Sequence, residues 1–192
     1  MEKCDEDMEQ FLIKRKKEFT TEEIKKTFID LNTVFKIMHK NKIIHRDLKL
    51  KNFLIKYTNE EKTEFIVKLA DYGIGKFLND SNSSFSGFKG SLETAAPEIC
   101  LFKLKKYDNI VDIFSLGIIL YQLSHNLKHP FQILDESIYL KYHEYYEKDN
   151  YQIIFSNNIE DNNFKDLIIK MLKLNPKNRL TWEEYFNHQF FK

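Results

Sequence analysis

A polar stretch of eight residues, His45 to Asn52, lies between two short apolar runs and places the strongest constraint on the fold. Ile43 and Ile44 precede it, and residues 53–55 follow it. Apolar runs of this length, bounded by polar residues, are typical of short buried strands. A charged loop between two buried strands is held in position from both sides, and loops of this kind often carry chemistry. We therefore expect a positioned functional loop at residues 45–52.

The side chains of this loop suit phosphoryl chemistry. Asp47 has the chemistry to orient a hydroxyl or accept its proton, and Lys49 is a point charge that suits phosphate. Asn52 offers a neutral oxygen of the kind that Mg²⁺ accepts. A second acid, Asp71, follows another apolar run at residues 65–70. In the alternative interpretation, Asp47 is only a turn former and Asn52 only a cap.

The rest of the pattern predicts a mainly α (α+β) domain, a helical bundle with small β-hairpins on one side that carry the loop. Apolar residues repeat at helical spacing after a capping sequence at Thr20, at Ile24, Phe28, Leu31, Phe35 and Met38. Helices are predicted at residues 5–17 (with Asp5 as its cap), 20–41, 110–123, 135–149, 164–172 and from 181 onward. Strands are predicted at 43–44, 53–55 and 65–70, with a polar hairpin tip at 57–64.

Composition excludes several classes of function. The 192 residues, 42% of them hydrophobic, suffice for one domain with a sizeable core. A net charge of +1, from 30 basic and 29 acidic residues, gives no electrostatic argument for nucleic-acid or membrane binding. The basic run at residues 14–17 is interpreted as a solvated helix end rather than a binding patch.

Cysteine usage and apolar run lengths predict an intracellular, cytoplasmic protein. Cys4 and Cys100 are too few for a disulfide framework and have no metal-binding spacing. The longest apolar run, residues 110–123, is shorter than a membrane span and contains Asp112. We interpret it as a buried helix.

The loop and the second acid resemble two motifs of the protein kinases. His45 to Asn52 resembles the catalytic loop, and Asp71-Tyr72-Gly73 resembles the magnesium-binding Asp-Phe-Gly turn, with Tyr72 in place of phenylalanine. The resemblance implies that Asp47 is the catalytic aspartate and that Lys49 marks the serine/threonine branch. It also implies that Asn52 and Asp71 are the magnesium ligands.

Further motifs follow in the order of that family. Gly90-Ser91 resembles the substrate loop, in which the hydroxyl of Ser91 is implied to contact Asp47 and Lys49; Thr94 replaces a usual aromatic residue there. Ala96-Pro97-Glu98 resembles the Ala-Pro-Glu motif.

The resemblance also implies structural roles. Glu98 is implied to form a buried pair with Arg179, the alternative being two unrelated surface charges. Asp112, with Ser115 and Gly117, resembles the buried helix signature that holds the catalytic loop from below. His45 and Tyr72 are likewise expected to be structural.

The N-terminus resembles the hinge that meets adenine in kinases. The resemblance implies backbone contacts to ATP from Glu2 and Cys4, a ribose contact from Asp7, and packing of Leu54 beneath the adenine. For Asp7 the alternative, an ordinary acid at a helix N-terminus, stays open.

A polar, serine-rich segment at residues 79–90 resembles the activation loop. In the family, the arginine that corresponds to Arg46 pairs with a phosphate on this loop. The candidate acceptors are Ser81, Ser83, Ser84 and Ser86. The alternative is that these serines are ordinary residues of a flexible loop.

The resemblance covers about residues 1–191 and implies transfer of phosphate from ATP, with Mg²⁺, to serine or threonine of protein substrates. The family's Gly-rich loop, strand lysine and helix glutamate precede the hinge, and the sequence begins at the hinge. We therefore expect a partial kinase domain at 1–192, the hinge plus the C-terminal lobe, with a missing N-terminal lobe or a regulatory partner. In isolation, these 192 residues are expected to bind ATP weakly and to have negligible catalytic turnover. The alternative is a catalytically silent, kinase-like interaction module.

Overall fold

The computed structural model describes residues 3–71, 76–77, 91–101, 108–132, 140, 142–145 and 151–192. The helices described over their full length are α1 (Met8–Arg15), α2 (Thr21–Lys40), α3 (Pro97–Cys100), α4 (Ile110–Ser124), α5 (Asn162–Met171) and α6 (Trp182–Phe186), and residues 140 and 142–145 are also helical. Its strands are β1 (Glu6–Asp7), β2 (Ile43–Ile44), β3 (Phe53–Tyr57), β4 (Phe65–Leu69) and β5 (Lys76–Phe77). This confirms the predicted mainly helical fold with small antiparallel sheets.

Two small antiparallel sheets flank the residues of the predicted loop. One sheet has the order β1-β3-β4, with Asp7 opposite Leu54 and Phe53 opposite Leu69. The other pairs β2 with β5. Strands β3 and β4 form the predicted hairpin, which closes where the amide of Thr58 donates to the Glu64 carbonyl at 3.0 Å.

Helix α2 forms as its sequence predicts. Its first turn has a capping box, in which the Glu23 amide donates to the Thr20 hydroxyl at 3.2 Å and the Thr20 amide donates to the Glu23 carboxylate at 2.8 Å. The five apolar positions named above are all buried. The helix ends at Lys40, immediately before β2, and so leads the chain to the polar loop.

Helix α1 is shorter than predicted at both ends, and the prediction that Asp5 caps it is wrong. Residues 6 and 7 pair with β3, so the helix begins at Met8 with Asp7 as its cap, the Asp7 carboxylate accepting from the Gln10 amide at 2.9 Å. The Asp5 carboxylate instead accepts from the Tyr57 amide at 3.0 Å. At the other end, Lys16 adopts a left-handed conformation (φ 54°) that stops the helix.

Helix α4 is the centre of the core. Every residue from Val111 to Ser124 is buried, as its continuous apolar run predicts, and α2 and α5 pack against it. Gly117 allows the close approach of α5, because a Cβ built at this position lies 2.9 Å from Leu172 Cδ2 and 3.0 Å from Met171 Cβ.

The remaining helix predictions have different outcomes. Helix α5 begins at Asn162, before the predicted residue 164, because Asp161 caps it by accepting from the Asn163 and Phe164 amides at 2.8 and 3.0 Å. Helix α6 has the predicted capping box, formed by Thr181 and Glu184. Most of the predicted helix at 135–149 lies outside the described residues. None of the helices in the described ranges combines the length and apolar character needed to cross a bilayer.

Candidate active site

The polar loop is held from below by one carboxylate of the buried helix α4. Asp112 accepts the backbone amide of His45 at 2.7 Å and that of Arg46 at 2.9 Å, one at each oxygen. These two bonds fix Arg46 in a left-handed conformation (φ 67°), which is uncommon for a residue with a side chain. Burial raises the pKa of Asp112 to about 6, although the two amides and the charge of Arg46 act in the opposite direction.

Asp47 lies at the centre of a three-residue contact with Lys49 and Ser91. Its Oδ2 lies 2.8 Å from the Lys49 ammonium, and its Oδ1 accepts the Ser91 amide at 2.8 Å. The Lys49 ammonium also donates to the Ser91 hydroxyl at 2.9 Å. Burial alone would raise the pKa of Asp47, but the hydrogen bonds from Lys49 and Ser91 outweigh it and lower the pKa below its ordinary value. The Asp47 carboxylate is therefore ionised, and its position is fixed by Lys49 and Ser91.

Asn52 ends the loop in a short 3-10 turn, Leu50–Asn52, and is buried. Its side-chain nitrogen donates to the Asp47 carbonyl at 2.7 Å. Because the nitrogen of the amide is used in this way, its oxygen is the atom left to face a ligand.

Ala70 joins both ends of the loop through its backbone. Its amide donates to the Asn52 carbonyl at 2.8 Å, and its carbonyl accepts from His45 Nε2 at 3.1 Å. Burial lowers the pKa of His45, so the ring is held neutral, with the proton on Nε2. Asp71 is the next residue, is exposed, and has φ 64°. The β3–β4 pairing and Ala70 thus bring the predicted ligands Asn52 and Asp71 to the same edge of the site.

The chemistry of these two residues fits a magnesium ion. The described residues contain no group of three or more His, Cys, Asp or Glu suited to a metal. A site with one amide oxygen and one carboxylate suits Mg²⁺ bound together with water and nucleotide phosphates, because this ion keeps much of its shell from those sources. Asn52 and Asp71 supply that combination.

The segment after Ser91 is joined to the polar loop by a contact that the sequence did not predict. The hydroxyl of Thr94, a buried side chain, donates to the Leu48 carbonyl at 2.6 Å. The sequence did contain a hint of this contact, because Thr94 stands where the family usually has an aromatic residue. A buried hydroxyl needs a hydrogen-bond partner.

Two further residues support this segment. Gln122 of α4 donates to the Glu93 carboxylate at 2.9 Å, and His129 Nε2 contacts the Glu93 carbonyl at 3.1 Å. Burial lowers the pKa of His129 to about 4, so it is neutral at physiological pH and donates from Nε2.

Glu98 and Arg179 form the implied pair. Two contacts of 2.6 and 2.9 Å join the guanidinium to the carboxylate, and both side chains are almost completely buried. Arg179 also stacks over the ring of Phe114, at 4.9 Å from its centroid. The pair fixes the short helix α3, and through it the segment that begins at Ser91.

The implied ATP contacts are only partly within the described residues. Asp7 and Leu54 lie opposite each other in the β1–β3 pairing, and Cys4 is half-buried just before it. Asp7 caps α1, as expected in the alternative interpretation of an ordinary acid at a helix N-terminus. Its contact with the ribose of ATP stays a prediction. Glu2, Tyr72, Ser81, Ser83, Ser84 and Ser86 lie outside the described residues.

Comparison with known protein families gives a match over nearly the whole chain. The sequence model of the family described as the protein kinase domain matches residues 1–191.

Individual relatives agree with that match. The chain is 36% identical over 160 residues to the serine/threonine-protein kinase unc-51 of Caenorhabditis elegans, which covers 80% of this chain and 18% of that protein. It is 32% identical over 184 residues to the calcium/calmodulin-dependent protein kinase cmkA of Emericella nidulans, which covers 91% of this chain and 40% of that protein. It is 35% identical over 162 residues to the serine/threonine-protein kinase ATG1c of Arabidopsis thaliana, which covers 80% of this chain and 20% of that protein. The matches thus span 18 to 40% of the lengths of these relatives.

Proposed function

Since the chain belongs to the protein kinase family, we propose that it takes part in transfer of the terminal phosphoryl group of ATP to serine or threonine hydroxyls of protein substrates. The observation that carries this proposal is the position of Asp47, held between the Lys49 ammonium and the Ser91 amide at 2.8 Å each. Lysine two residues after the aspartate is the feature of the serine/threonine branch. The names of the relatives point to the same branch.

Asp47 acts on the substrate hydroxyl. A carboxylate whose pKa is lowered by its hydrogen bonds is a weak base, so it orients the hydroxyl as an acceptor and takes the proton only late in the transfer. Its position is fixed by Asn52, which binds the Asp47 carbonyl, and by Asp112 beneath the loop. Catalysis here is positioning together with electrostatics.

Lys49 stabilises the charge that spreads over the transferring phosphoryl group. Its ammonium lies between Asp47 and the Ser91 hydroxyl, so it is held at the position where the substrate hydroxyl and the phosphate must meet. Asn52 and Asp71 are the residues that would hold Mg²⁺, and a bound magnesium ion neutralises the phosphate oxygens of the nucleotide.

We further propose that residues 1–192 correspond to the hinge and C-terminal lobe of a kinase domain. The five glycines lie at 73, 75, 87, 90 and 117 and form no Gly-rich phosphate loop of the family type. These residues on their own are therefore expected to bind ATP weakly. Isothermal calorimetry with ATP and Mg²⁺ tests this, and low-micromolar affinity for the 192-residue chain would contradict it.

The proposed reaction is tested in the longest form of the protein translated in its own cells, with labelled ATP and a mixture of serine and threonine peptides. We expect incorporation into the peptides, and a loss of at least a hundredfold in Asp47→Asn with an unchanged thermal unfolding midpoint. Incorporation that survives Asp47→Asn would sink the assignment of this residue. No incorporation with either form would favour the silent interaction module.

A further inference from the structure

A groove of about 370 Å³ lies on the surface between an extended segment and helix α5, in residues that the proposed reaction does not use. Its first wall is the segment 151–155, which contributes Tyr151, Gln152, Ile153 and Phe155. Burial alternates along this segment, with Gln152 and Ile154 exposed, so Tyr151, Ile153 and Phe155 share one side. Ile153 is buried beneath the groove, while Tyr151 and Phe155 are half-buried at its edge.

This first wall is fixed by hydrogen bonds to α4 and to His125, the residue that follows it. The Tyr121 hydroxyl donates to the Ile154 carbonyl at 2.6 Å, and the Ser156 amide donates to His125 Nε2 at 3.1 Å. The His125 ring is itself buried and stacks on Tyr121 with ring centroids 3.8 Å apart. The groove is therefore preformed, and a ligand does not have to order it.

The second wall consists of Lys165, Ile169 and Lys173. Lys165 and Ile169 are four residues apart on α5 and therefore lie on one of its faces, and Lys173 follows two residues after the helix ends at Met171. Ile169 is 41% exposed, which is a large exposed fraction for an isoleucine beside aromatic rings.

The charges of this wall are not compensated. Lys170, on the same helix, binds Asp166 at 2.7 Å, whereas neither Lys165 nor Lys173 has an ion-pair partner among the described residues. The groove thus combines apolar side chains with two lysines that have no ion-pair partner in the described part of the chain. A ligand of complementary chemistry has an apolar group between two negative ones.

From these contacts we propose that the groove binds an extended acidic–apolar–acidic peptide segment of a partner protein. In an extended chain, residues i, i+2 and i+4 share one face, and i and i+4 are separated by about 13 Å. Acids at i and i+4 therefore flank an apolar side chain at i+2 on the same face, so that the acids can pair with Lys165 and Lys173 while the apolar side chain meets Ile169 and Phe155. The concave shape favours a peptide over a flat anionic lipid surface.

The test uses the 192-residue chain and three labelled pools of seven-residue peptides, with binding followed by fluorescence anisotropy. One pool has Glu at positions 2 and 6 and Leu, Ile, Phe or Trp at position 4. In the second pool both Glu are replaced by Lys, and in the third the apolar residue is replaced by Ser or Thr. We expect the first pool to bind at least tenfold more tightly than either of the others.

The location is tested by variants and by NMR of isoleucine methyl groups. We expect the double variant Lys165→Glu/Lys173→Glu to lose at least tenfold in affinity, and Lys26→Glu/Lys177→Glu, at exposed lysines elsewhere, to lose none. The methyl signals of Ile169 should shift on binding and those of Ile37, an exposed isoleucine on α2, should not. Ile169→Gln tests the apolar contact if charge reversal disturbs folding.

Three results overturn the proposal: equal binding of the acidic and basic pools, equal loss with both lysine pairs, or an Ile169 signal that does not move. Binding to anionic vesicles by the same lysines, without binding of the acidic pool, also overturns it in favour of a lipid surface. Neither test depends on phosphoryl transfer, so the proposal and the proposed reaction fail or hold separately.

Discussion

The guanidinium of Arg179 binds the carboxylate of Glu98 through two parallel contacts of 2.6 and 2.9 Å, although 81 residues separate them in the sequence. The other donors of Arg179 are also used, by the carbonyls of Lys173, Leu174 and Ile110 at 3.0 to 3.3 Å. A buried ion pair is stable only when its hydrogen bonds are satisfied in this way. The pair therefore joins the C-terminal segment, α4 and α3 at one point.

Replacing Arg179 by Met should destabilise the chain strongly. Glu98 would be left as a buried charge without its partner, which costs about 3–5 kcal/mol in the free energy of unfolding. Urea unfolding followed by circular dichroism measures this loss. The matched control is Lys170→Met, which breaks the half-exposed pair with Asp166 and should cost less than about 1 kcal/mol. Equal losses in the two variants would contradict a special role for the buried pair.

Asp112 predicts a specific dependence of stability on pH. Its pKa is about 6 in the folded chain against 3.8 ordinarily, so between these values the folded chain holds a proton that the unfolded chain has released. The resulting contribution to stability is fully present below pH 3.8 and is lost as the pH rises through 6. It amounts to about 3 kcal/mol.

Asp112→Asn removes this titration and keeps the shape of the side chain. We expect the free energy of unfolding of the natural chain, minus that of the variant, to fall by about 2.4 kcal/mol between pH 4 and pH 7. Urea unfolding at half-unit steps of pH measures the difference. Parallel pH profiles for the two proteins would show that the Asp112 carboxyl titrates normally.

Gly117→Ala should destabilise the chain although alanine favours helices. The helix gains up to about 1 kcal/mol from the substitution, but the new methyl group meets Leu172 and Met171 at about 3 Å and overpacks the crossing of α4 and α5. We expect a net loss of about 1 kcal/mol, and a larger one for Gly117→Val. Thermal unfolding measures both. Stabilisation by alanine would mean that α5 moves away at little cost.

The hydroxyl of Ser91 should matter for the proposed transfer, because it accepts from the Lys49 ammonium. Loss of a hydrogen bond to a charged group corresponds to about tenfold or more in rate. We expect Ser91→Ala to lower kcat by that factor with little change in KM, and Ser91→Thr to restore it. Steady-state kinetics in the catalytically competent form of the protein test this. Full activity of Ser91→Ala would leave only the backbone amide of residue 91 with a role.

Regular periodicity in the sequence predicted the helices well. The five apolar positions of α2 are the ones buried in the structure, and the continuous apolar run of α4 is buried on all sides. These predictions succeed because burial of a helix face depends on spacing alone, and spacing is visible in a single sequence.

Long-range pairing explains what the sequence could not show. Asp5 has the residue type of a helix cap, but β1 pairs with β3 and moves the start of α1 to Met8. The site shows the same limit. The loop residues were identified from their motif, whereas the contact of Thr94 with the Leu48 carbonyl and the groove beside α5 depend on segments brought together only by folding.

Ala70 couples the two ends of the polar loop without using a side chain, because its amide binds the Asn52 carbonyl and its carbonyl binds His45. Substitution of the side chain at position 70 therefore leaves both hydrogen bonds in place, as long as the backbone conformation does not change. Proline is the one encoded residue that deletes the amide donor. Alanine scanning does not test this residue, because it is already alanine. A motif search based on reactive side chains does not detect it either. An amide-to-ester replacement, made by chemical synthesis of the chain, would isolate its contribution to loop rigidity.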